Sequence, residues 1–363
     1  MSSDKIFMRR ALALAARGQG RTRPNPMVGA VIVCAGRVVG TGYHRRAGEP
    51  HAEVVALRAA GTRARGATLY VTLEPCDHQG RTPPCTAAIL ASGVRRVVAA
   101  HEDPNPRVRG RGLRRLRAAG LATRVGVLAA EARALNEIYL TWRTARRPFV
   151  TVKVAQSLDG KIATRTGDSQ WISGPAARAY GQALRAQVDA ILVGVRTVLA
   201  DDPRLTCRGP RPMRPPLRVV VDAALRTPPT ARLLRGGAPV LIATTRAASA
   251  ARRRRLAARG AEILILPGRH GRVNLRALLR ELARREITHL LIEGGGELIA
   301  SAVQAGVVDR WIAIIAPILI GGRLALTAVA GDGITSLRQA VPLQGVTWRR
   351  LGRDLVVEGR VRS

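Results

Sequence analysis

Two short segments carry residues that could bind a metal ion together. Pro50-His51-Ala52-Glu53 comes first, and Glu74-Pro75-Cys76 follows, with Cys85 nine positions after Cys76. One imidazole and two thiolates suit Zn²⁺, and three protein ligands leave a fourth tetrahedral position for water, as in catalytic zinc sites. Zinc converts such a water to hydroxide near neutral pH, and Glu53 is placed to take the proton and pass it to a departing amine. The set predicts hydrolytic deamination of an amidine-like ring carbon.

The spacing of the two cysteines departs from the commonest deaminase pattern. Zinc deaminases of nucleobases share a His-x-Glu followed by Pro-Cys-x-x-Cys, whereas eight residues separate Cys76 from Cys85. A buried histidine and two free thiols would be the ordinary interpretation of any one of these residues, but it does not explain the combination. The long spacing indicates a substrate other than that of the nucleoside and tRNA deaminases.

The formal net charge of +36 raises the question of nucleic-acid binding. The basic residues are almost all arginines spread along the whole chain, and the lysines are Lys5, Lys153 and Lys161. Aromatic residues make up 3% of the chain, so little is available to stack on exposed bases. We interpret the charge as a solvated basic surface and expect no nucleic-acid partner.

No segment predicts membrane insertion or secretion. The longest apolar stretch, residues 311–320, is broken by Pro317 and is too short to span a bilayer. The N-terminal segment lacks the continuous apolar run of a secretory signal. The four cysteines are too few for a disulfide scaffold, which favours a reducing, cytoplasmic setting. Cys34 and Cys207 receive no role.

Two successive α/β patterns run along the chain, with a boundary at Arg146-Arg147-Pro148. The first begins with a helix and a hairpin over residues 28–43, and it ends with one helix from 129 to about 143. All three metal-ligand candidates are expected where helices begin, since a helix N-terminus favours thiolate over thiol. The second pattern contains a turn, Glu293-Gly294-Gly295-Gly296, between a strand and a helix, where backbone N–H groups could receive a phosphate. Such a turn is as often only a tight connection.

Several motifs besides the zinc-ligand set occur along the chain, and their order matches that of a known family. The first half contains Pro24-Asn25-Pro26-Met27-Val28-Gly29, Gly80-Arg81-Thr82-Pro83-Pro84-Cys85 and Asp103-Pro104-Asn105-Pro106. The second contains Ser157-Leu158-Asp159-Gly160-Lys161, Ser169-Gln170-Trp171-Ile172-Ser173, residues 194–203 and Glu293-Gly-Gly-Gly. With these motifs the chain resembles the bifunctional deaminase/reductase family of riboflavin biosynthesis.

This resemblance implies an α/β chain with a cytidine-deaminase-like three-layer domain, residues 1–146, and a dihydrofolate-reductase-like domain, residues 147–363. The first would bind Zn²⁺ and deaminate 2,5-diamino-6-(5-phosphoribosylamino)pyrimidin-4(3H)-one to 5-amino-6-(5-phosphoribosylamino)uracil. The second would use NADPH to reduce the ribosyl group to ribityl. A homo-oligomer formed through the reductase half is also implied.

The resemblance assigns site residues as well. Asn25 and His78 would contact the pyrimidine, although each is otherwise an ordinary turn or loop residue, and the loop 103–110 would help to close the pocket. The NADPH site would be lined by Ala155, Trp171, Thr197 and Asp201, with cofactor phosphate at Gly295, Gly296, Glu297, Leu298 and Ile299. The phosphoribosyl substrate would be held by Ser169, Arg185, Leu205, Arg208 and Glu293. The arginines suit a phosphate because they form charge-assisted forks, and Lys153 and Glu293 are candidates for the reductase proton donor.

Two other functions compete with this interpretation. A tRNA or nucleoside deaminase with an accessory domain would explain the zinc set, but it predicts two residues between the cysteines and leaves the second half unexplained. A nucleic-acid-binding protein without enzymatic activity would explain only the charge.

Overall fold

The protein is described by a computed structural model that covers residues 3–80, 82–106, 108–208 and 215–362. The chain divides into two compact units, residues 1–146 and 147–363. Within the described ranges, no helix is both long enough and apolar enough to cross a membrane.

The first unit is a five-stranded sheet between two layers of helices. The strand order is β2-β1-β3-β4-β5, in which β1 is antiparallel to both neighbours and β3, β4 and β5 run parallel. Its elements are α1 (Ser3–Ala16), β1 (Gly29–Cys34), β2 (Arg37–Tyr43), α2 (Ala52–Ala60), β3 (Thr68–Val71), α3 (Cys85–Ala91), β4 (Arg96–Ala99), α4 (Arg111–Ala118), β5 (Ala122–Val125), α5 (Ala129–Leu135) and α6 (Glu137–Ala145).

Alternating residues of the central strands supply both cores of this unit. Ile32 and Leu69 pack against α2, α3 and α4 on one face, whereas Val31 and Tyr70 pack against α1 and α5 on the other. A strand whose successive side chains point to opposite faces is apolar throughout when both faces are covered. The three-layer architecture predicted for this half is confirmed.

The prediction of one helix from residue 129 to about 143 is wrong, because the helix is interrupted at Asn136. The backbone leaves helical geometry there, between α5 and α6. The Asn136 side chain is buried, and it accepts from Met27 N and donates from Nδ2 to Met27 O, both at 2.8 Å. This long-range contact fixes the chain just after Asn25.

The second unit contains a nine-stranded sheet of order β10-β9-β8-β7-β13-β6-β14-β16-β15. In this order the first seven strands, β10 through β14, run parallel to one another. Strands β16 and β15 continue the sheet in antiparallel pairing. Its elements are β6 (Phe149–Ser157), α7 (Pro175–Ala186), β7 (Ala190–Gly194), α8 (Val195–Asp201), β8 (Leu217–Val221), β9 (Val240–Thr244), α9 (Ala250–Ala257), β10 (Ala261–Ile265), β11 (Gly268–Arg269), β12 (Arg272–Val273), α10 (Leu275–Arg284), β13 (His289–Glu293), α11 (Gly296–Gln304), β14 (Arg310–Ala316), β15 (Leu343–Leu351) and β16 (Asp354–Val361).

Helices cover both faces of this sheet. Leu278 of α10 and Ile299 of α11 pack on one face, and Leu256 of α9 and Val198 of α8 pack on the other. Helix α10, which the sequence analysis did not predict, begins at Asn274, whose side chain accepts from Ala277 N at 3.0 Å. In parallel sheets of this kind ligands bind beyond the carboxyl ends of the strands, and the segments that follow β6, β7, β8 and β13 meet there.

Candidate active sites

The three metal-ligand candidates converge in the first unit. His51 precedes α2 as its N-cap, and Cys85 is the first residue of α3. His51 Nδ1 lies 3.2 Å from Cys85 Sγ and 3.6 Å from Cys76 Sγ, and one donor atom from each of the three residues lies within 4.8 Å of the others. Tetrahedral Zn–N and Zn–S bonds of about 2.0 and 2.3 Å require N···S separations of about 3.5 Å. The donor set fits a zinc ion.

Cys76 does not lie at the beginning of a helix, contrary to the expectation from sequence. It follows β3 in a segment without regular secondary structure, but Cys85 N, at the N-terminus of α3, lies 3.5 Å from Cys76 Sγ and donates to the sulfur. The N-terminus of α3 therefore lies beside both sulfur atoms. The Cys85 thiol donates to Cys76, which lowers the pKa of Cys76 to about 4 and raises the pKa of Cys85. The pair shares one proton, and a divalent cation would take its place.

Thr82 orients the imidazole, and the sequence analysis did not identify it. His51 Nε2 lies 3.2 Å from Thr82 Oγ1, so a protonated Nε2 donates to the hydroxyl and leaves the Nδ1 lone pair for a metal. Ligating histidines in proteins almost always donate their second N–H in this way. The segment between the cysteines thus contributes a partner for His51 as well as the spacing.

Glu53 lies in the first turn of α2 and is 3% exposed. Burial raises the pKa of its carboxyl to about 7, and the nearby His51 acts against that rise. A carboxyl with a pKa close to the working pH accepts and releases protons efficiently. The residue is suited to proton transfer rather than to ligation.

His44 is a second residue that the sequence analysis missed. Its buried ring meets the His51 ring edge to face at 5.2 Å between centroids. Burial lowers the pKa of His44, and the neutral ring donates from Nδ1 to Pro50 O at 3.3 Å while Nε2 accepts from Asn25 Nδ2 at 3.1 Å. Asn25 is thereby connected to the metal-ligand set through His44. A histidine directly after a strand, seven positions before His51, was the available signal.

His78 and the loop 103–110 are placed differently. His78 is half-buried, and among the described residues its Nδ1 has no hydrogen-bond partner. The loop is held by Glu74, which is 3% exposed and accepts from Asp103 N at 3.2 Å, Gly110 N at 2.9 Å and Leu113 N at 3.4 Å. Because Glu74 lies two residues before Cys76, it connects this loop to a metal-ligand candidate.

Two adjoining cavities, of ≈ 720 and ≈ 650 Å³, lie in the second unit. Both are lined by Lys153, Ala155, Ser169, Arg185, Asp201, Leu205 and Glu293. Trp171 and Arg208 line only the larger cavity, and Thr197 and Gly294 to Leu298 line only the smaller one. The structure thus brings together all but one of the residues predicted for the reductase site. Trp171, predicted for the cofactor, lines only the larger cavity, as does Arg208, which was predicted for the substrate.

Ile299 is the exception. Its side chain is fully buried in the core of the unit, and its N–H donates to Gly295 O at 3.0 Å within the helix. The expectation that Ile299 receives a cofactor phosphate is not met, because neither its side chain nor its amide is available. Gly294 and Gly295, with φ of 82° and 84°, form a turn before α11 that lines the smaller cavity.

The guanidinium of Arg185 is already hydrogen-bonded within the protein and is not free to bind a phosphate. Its Nε lies 3.1 and 3.0 Å from the two Glu293 oxygens, Nη2 lies 2.5 Å from Oε2, and Nη1 donates to Thr206 O at 3.2 Å. Lys153 Nζ lies 3.9 Å from Glu293 Oε1. Burial acts to raise the pKa of Glu293, but the charges of Lys153 and Arg185 outweigh it and lower that pKa. Glu293 is therefore ionised.

Comparison with known proteins assigns a family to each half of the chain. Residues 1–101 match the family described as the cytidine and deoxycytidylate deaminase zinc-binding region, and residues 148–357 match the RibD C-terminal domain. The riboflavin biosynthesis protein RibD of Aquifex aeolicus is 46% identical over 98% of this chain and 97% of its own, and that of Escherichia coli is 45% identical over 88% and 89%.

Solved structures match over the same length. RibD of Acinetobacter baumannii superposes with a TM-score of 0.89 at 37% identity, covering 99% of both chains. A diaminohydroxyphosphoribosylaminopyrimidine deaminase/5-amino-6-(5-phosphoribosylamino)uracil reductase from Thermotoga maritima gives 0.83 at 35% identity, again over 99% of both. The dihydrofolate-reductase-like fold expected for the second half is confirmed. With both halves matched in order along nearly the whole chain, the protein belongs to the RibD family of riboflavin biosynthesis proteins.

Proposed function

We propose that this chain catalyses two consecutive steps of riboflavin biosynthesis, deamination in residues 1–146 and reduction in residues 147–363. The observation that carries the proposal is the presence of two complete but chemically different sites in one chain: a His51/Cys76/Cys85 set beside a buried Glu53, and a double cavity with ionised groups and a glycine turn. The Thermotoga maritima relative carries both activities in its name. A tRNA or nucleoside deaminase would leave the second site without a purpose.

In the deaminase site, His51, Cys76 and Cys85 would hold Zn²⁺, which supplies an activated water when bound. Glu53 takes the proton of that water and delivers it to the amine at position 2 of the pyrimidinone, so that ammonia leaves and a carbonyl remains. Asn25, fixed by His44, contacts the pyrimidine, and His78 offers an unpartnered nitrogen for the same task. The substrate is the 2,5-diamino-6-(5-phosphoribosylamino)pyrimidinone.

In the reductase site, bound NADPH would supply a hydride for C1 of the ribosylamine, and the ring oxygen must receive a proton. Of the two candidate donors, ionised Glu293 has no proton to give, whereas the Lys153 ammonium beside it does. We assign proton donation to Lys153. Glu293 holds Lys153 and Arg185 in place, and Arg208 is the predicted arginine whose guanidinium remains for the substrate phosphate.

The remaining residues are assigned to the cofactor or to the substrate by the cavity that they line. Ala155, Thr197 and Asp201 would contact the cofactor in the smaller cavity, with phosphate at Gly295, Gly296, Glu297 and Leu298. Ser169, Trp171 and Leu205 would contact the phosphoribosyl substrate in the larger one. We further propose that the protein works in the cytoplasm as a homo-oligomer, without a nucleic-acid partner.

Paired variants test the assignment of two sites. Glu53→Gln should lower ammonia release from the diaminopyrimidinone about 10²- to 10⁴-fold, the range of general acid–base catalysis, and leave NADPH oxidation with the aminouracil intermediate unchanged. Lys153→Met should do the reverse, so each variant serves as the control of the other. Loss of both activities in either variant, or no turnover by the zinc-loaded wild type, would overturn the proposal.

A further inference from the structure

One wall of the larger cavity in the second unit is a short stretch of chain before α7. Residues 170–173 line the larger cavity but not the smaller one, and so do several residues of α7. Gly174, the N-cap of the helix, joins the two stretches. We call residues 170–174 the wall segment. Because the segment lines one cavity only, the contacts that fix its position act on the ligand of that cavity.

The turn between β15 and β16 holds the wall segment by two hydrogen bonds to its backbone. Ile172 O accepts from Arg353 Nη2 at 3.1 Å, and Gly174 N donates to Asp354 Oδ2 at 2.7 Å. The partners lie 181 and 180 positions apart in the chain. Among the described residues, Arg353 and Asp354 belong to neither cavity lining. They therefore contact the wall segment without forming part of either site.

The Asp354 carboxylate is fully buried, with its side chain 0% exposed. One oxygen accepts from Gly174 N, whereas Oδ1 has no hydrogen-bond partner within the described ranges and lies 3.7 Å from Arg353 Nε. A buried charge is costly unless it is paired and hydrogen-bonded. A Cβ on Gly174 would lie 3.2 Å from Oδ2, so the absence of a side chain there allows the close approach. The carboxylate thus fixes the start of α7.

The position of Gly174 determines that of Trp171 through Arg178. Arg178 N donates to Gly174 O at 3.1 Å in the first turn of α7. The Arg178 side chain donates from Nη1 to Ser173 O at 2.7 Å, and its guanidinium lies 5.0 Å from the centre of the Trp171 ring. Trp171 lines the larger cavity and is 61% exposed. The indole ring is therefore supported by Arg178 and remains open to a ligand.

We propose that Asp354 and Arg353 are positioning residues of the reductase, which hold the wall segment where Trp171 meets the phosphoribosyl substrate. This inference rests on the proposed reductase function. Lys153, the assigned proton donor, lies on β6, outside the wall segment. Loss of the contacts with the turn should therefore weaken substrate binding without changing the chemical step or the cofactor site. A rise in KM at an unchanged kcat is the kinetic sign of such a loss.

The test measures NADPH oxidation by the full-length protein with the aminouracil intermediate, and NADPH binding by the change in its fluorescence. Asp354→Ala should raise KM for the aminouracil about 10- to 100-fold, because misplacement of a contact residue has effects of this size. The kcat and the NADPH dissociation constant should change less than about twofold. Asp354→Asn keeps a carbonyl oxygen for Gly174 N and should retain the wild-type KM.

Arg353→Ala tests the same turn through a side chain that is 53% exposed. It removes the bond to Ile172 O and should raise KM about three- to fivefold. Arg362→Ala is the matched control, because Arg362 is exposed, directly follows β16 and lies outside both cavity linings. It should leave KM, kcat and NADPH binding unchanged.

An unchanged KM in Asp354→Ala and Arg353→Ala would overturn the inference. A parallel loss of NADPH affinity would do the same, because the turn would then only stabilise the unit as a whole, and so would a KM for Asp354→Asn as high as that of Asp354→Ala. If Asp354→Ala does not fold, Arg353→Ala decides by the same criteria. Oxidation of NADPH by the wild type separates these failures from that of the proposed function. Without it, both the proposed function and the inference are wrong.

Discussion

Replacement of Glu74 tests how the zinc site is held in place. Glu74→Ala removes the acceptor of three backbone N–H groups, those of Asp103, Gly110 and Leu113, in a position that is 3% exposed. Each buried amide left without an acceptor costs about 1–3 kcal/mol. The bond from Leu113 is long, at 3.4 Å, so we expect a total of about 3–5 kcal/mol. Glu74→Gln keeps one carbonyl oxygen for Asp103 and Gly110 and should cost about 1–2 kcal/mol.

Zinc release in urea is the assay, because the metal leaves when the first unit unfolds and a chromophoric chelator reports it. With a denaturant dependence of about 2 kcal/mol per molar urea, Glu74→Ala should lower the midpoint of release by about 2 M, and Glu74→Gln by less than 1 M. Glu102→Ala, which changes an exposed acidic residue directly before the same loop, is the matched control and should leave the midpoint unchanged. A wild-type midpoint for Glu74→Ala, or the same loss for Glu102→Ala, would refute the argument.

Three further predictions concern the first unit. Thr82→Val removes the partner of His51 Nε2 and should weaken zinc affinity about tenfold, as measured by competition with a chelator. Asp4 accepts bonds from Arg96, which lower its pKa below 3.8, so its stabilisation is present above that pH and is lost as the pH falls through the lowered value. Asp4→Asn should therefore unfold more easily than the wild type at pH 7, with a smaller difference near pH 3. Chelation of zinc should abolish ammonia release and leave NADPH oxidation intact.

Each of these has a result that would contradict it. Unchanged zinc affinity in Thr82→Val would mean that the hydroxyl does not orient the ring. A stability difference for Asp4→Asn that is the same at both pH values would show that the ion pair with Arg96 does not set the pKa. Loss of NADPH oxidation on chelation would place zinc in the reductase as well.

The sequence predicted the metal ligands because their types and spacing restrict the chemistry by themselves. It predicted two successive α/β patterns because long apolar runs are typical of strands buried on two faces. The break at Asn136 could not be foreseen, since its cause is a contact with Met27, over a hundred positions earlier.

The partners of polar side chains were beyond the sequence for the same reason. His44 and Thr82 are ordinary residues until the fold brings them to Asn25 and His51. The motifs identified Arg185 as a residue of the reductase site, but they could not show that Glu293 occupies its guanidinium. In each case the residue could be read from the sequence, but its role depends on a residue that only the tertiary structure brings into contact with it.

The two hydrogen bonds between Asn136 and Met27 limit where the chain can be cut to separate the two activities by protein engineering. The deaminase family profile ends at residue 101, and a fragment cut there, or after β5, would lack the side chain that pairs with both polar backbone groups of Met27. The loop with Asn25 would then lose its anchor while the zinc ligands remained. An excised module that keeps its specificity must therefore extend through Asn136, so the minimal autonomous deaminase is longer than its metal-binding motif suggests.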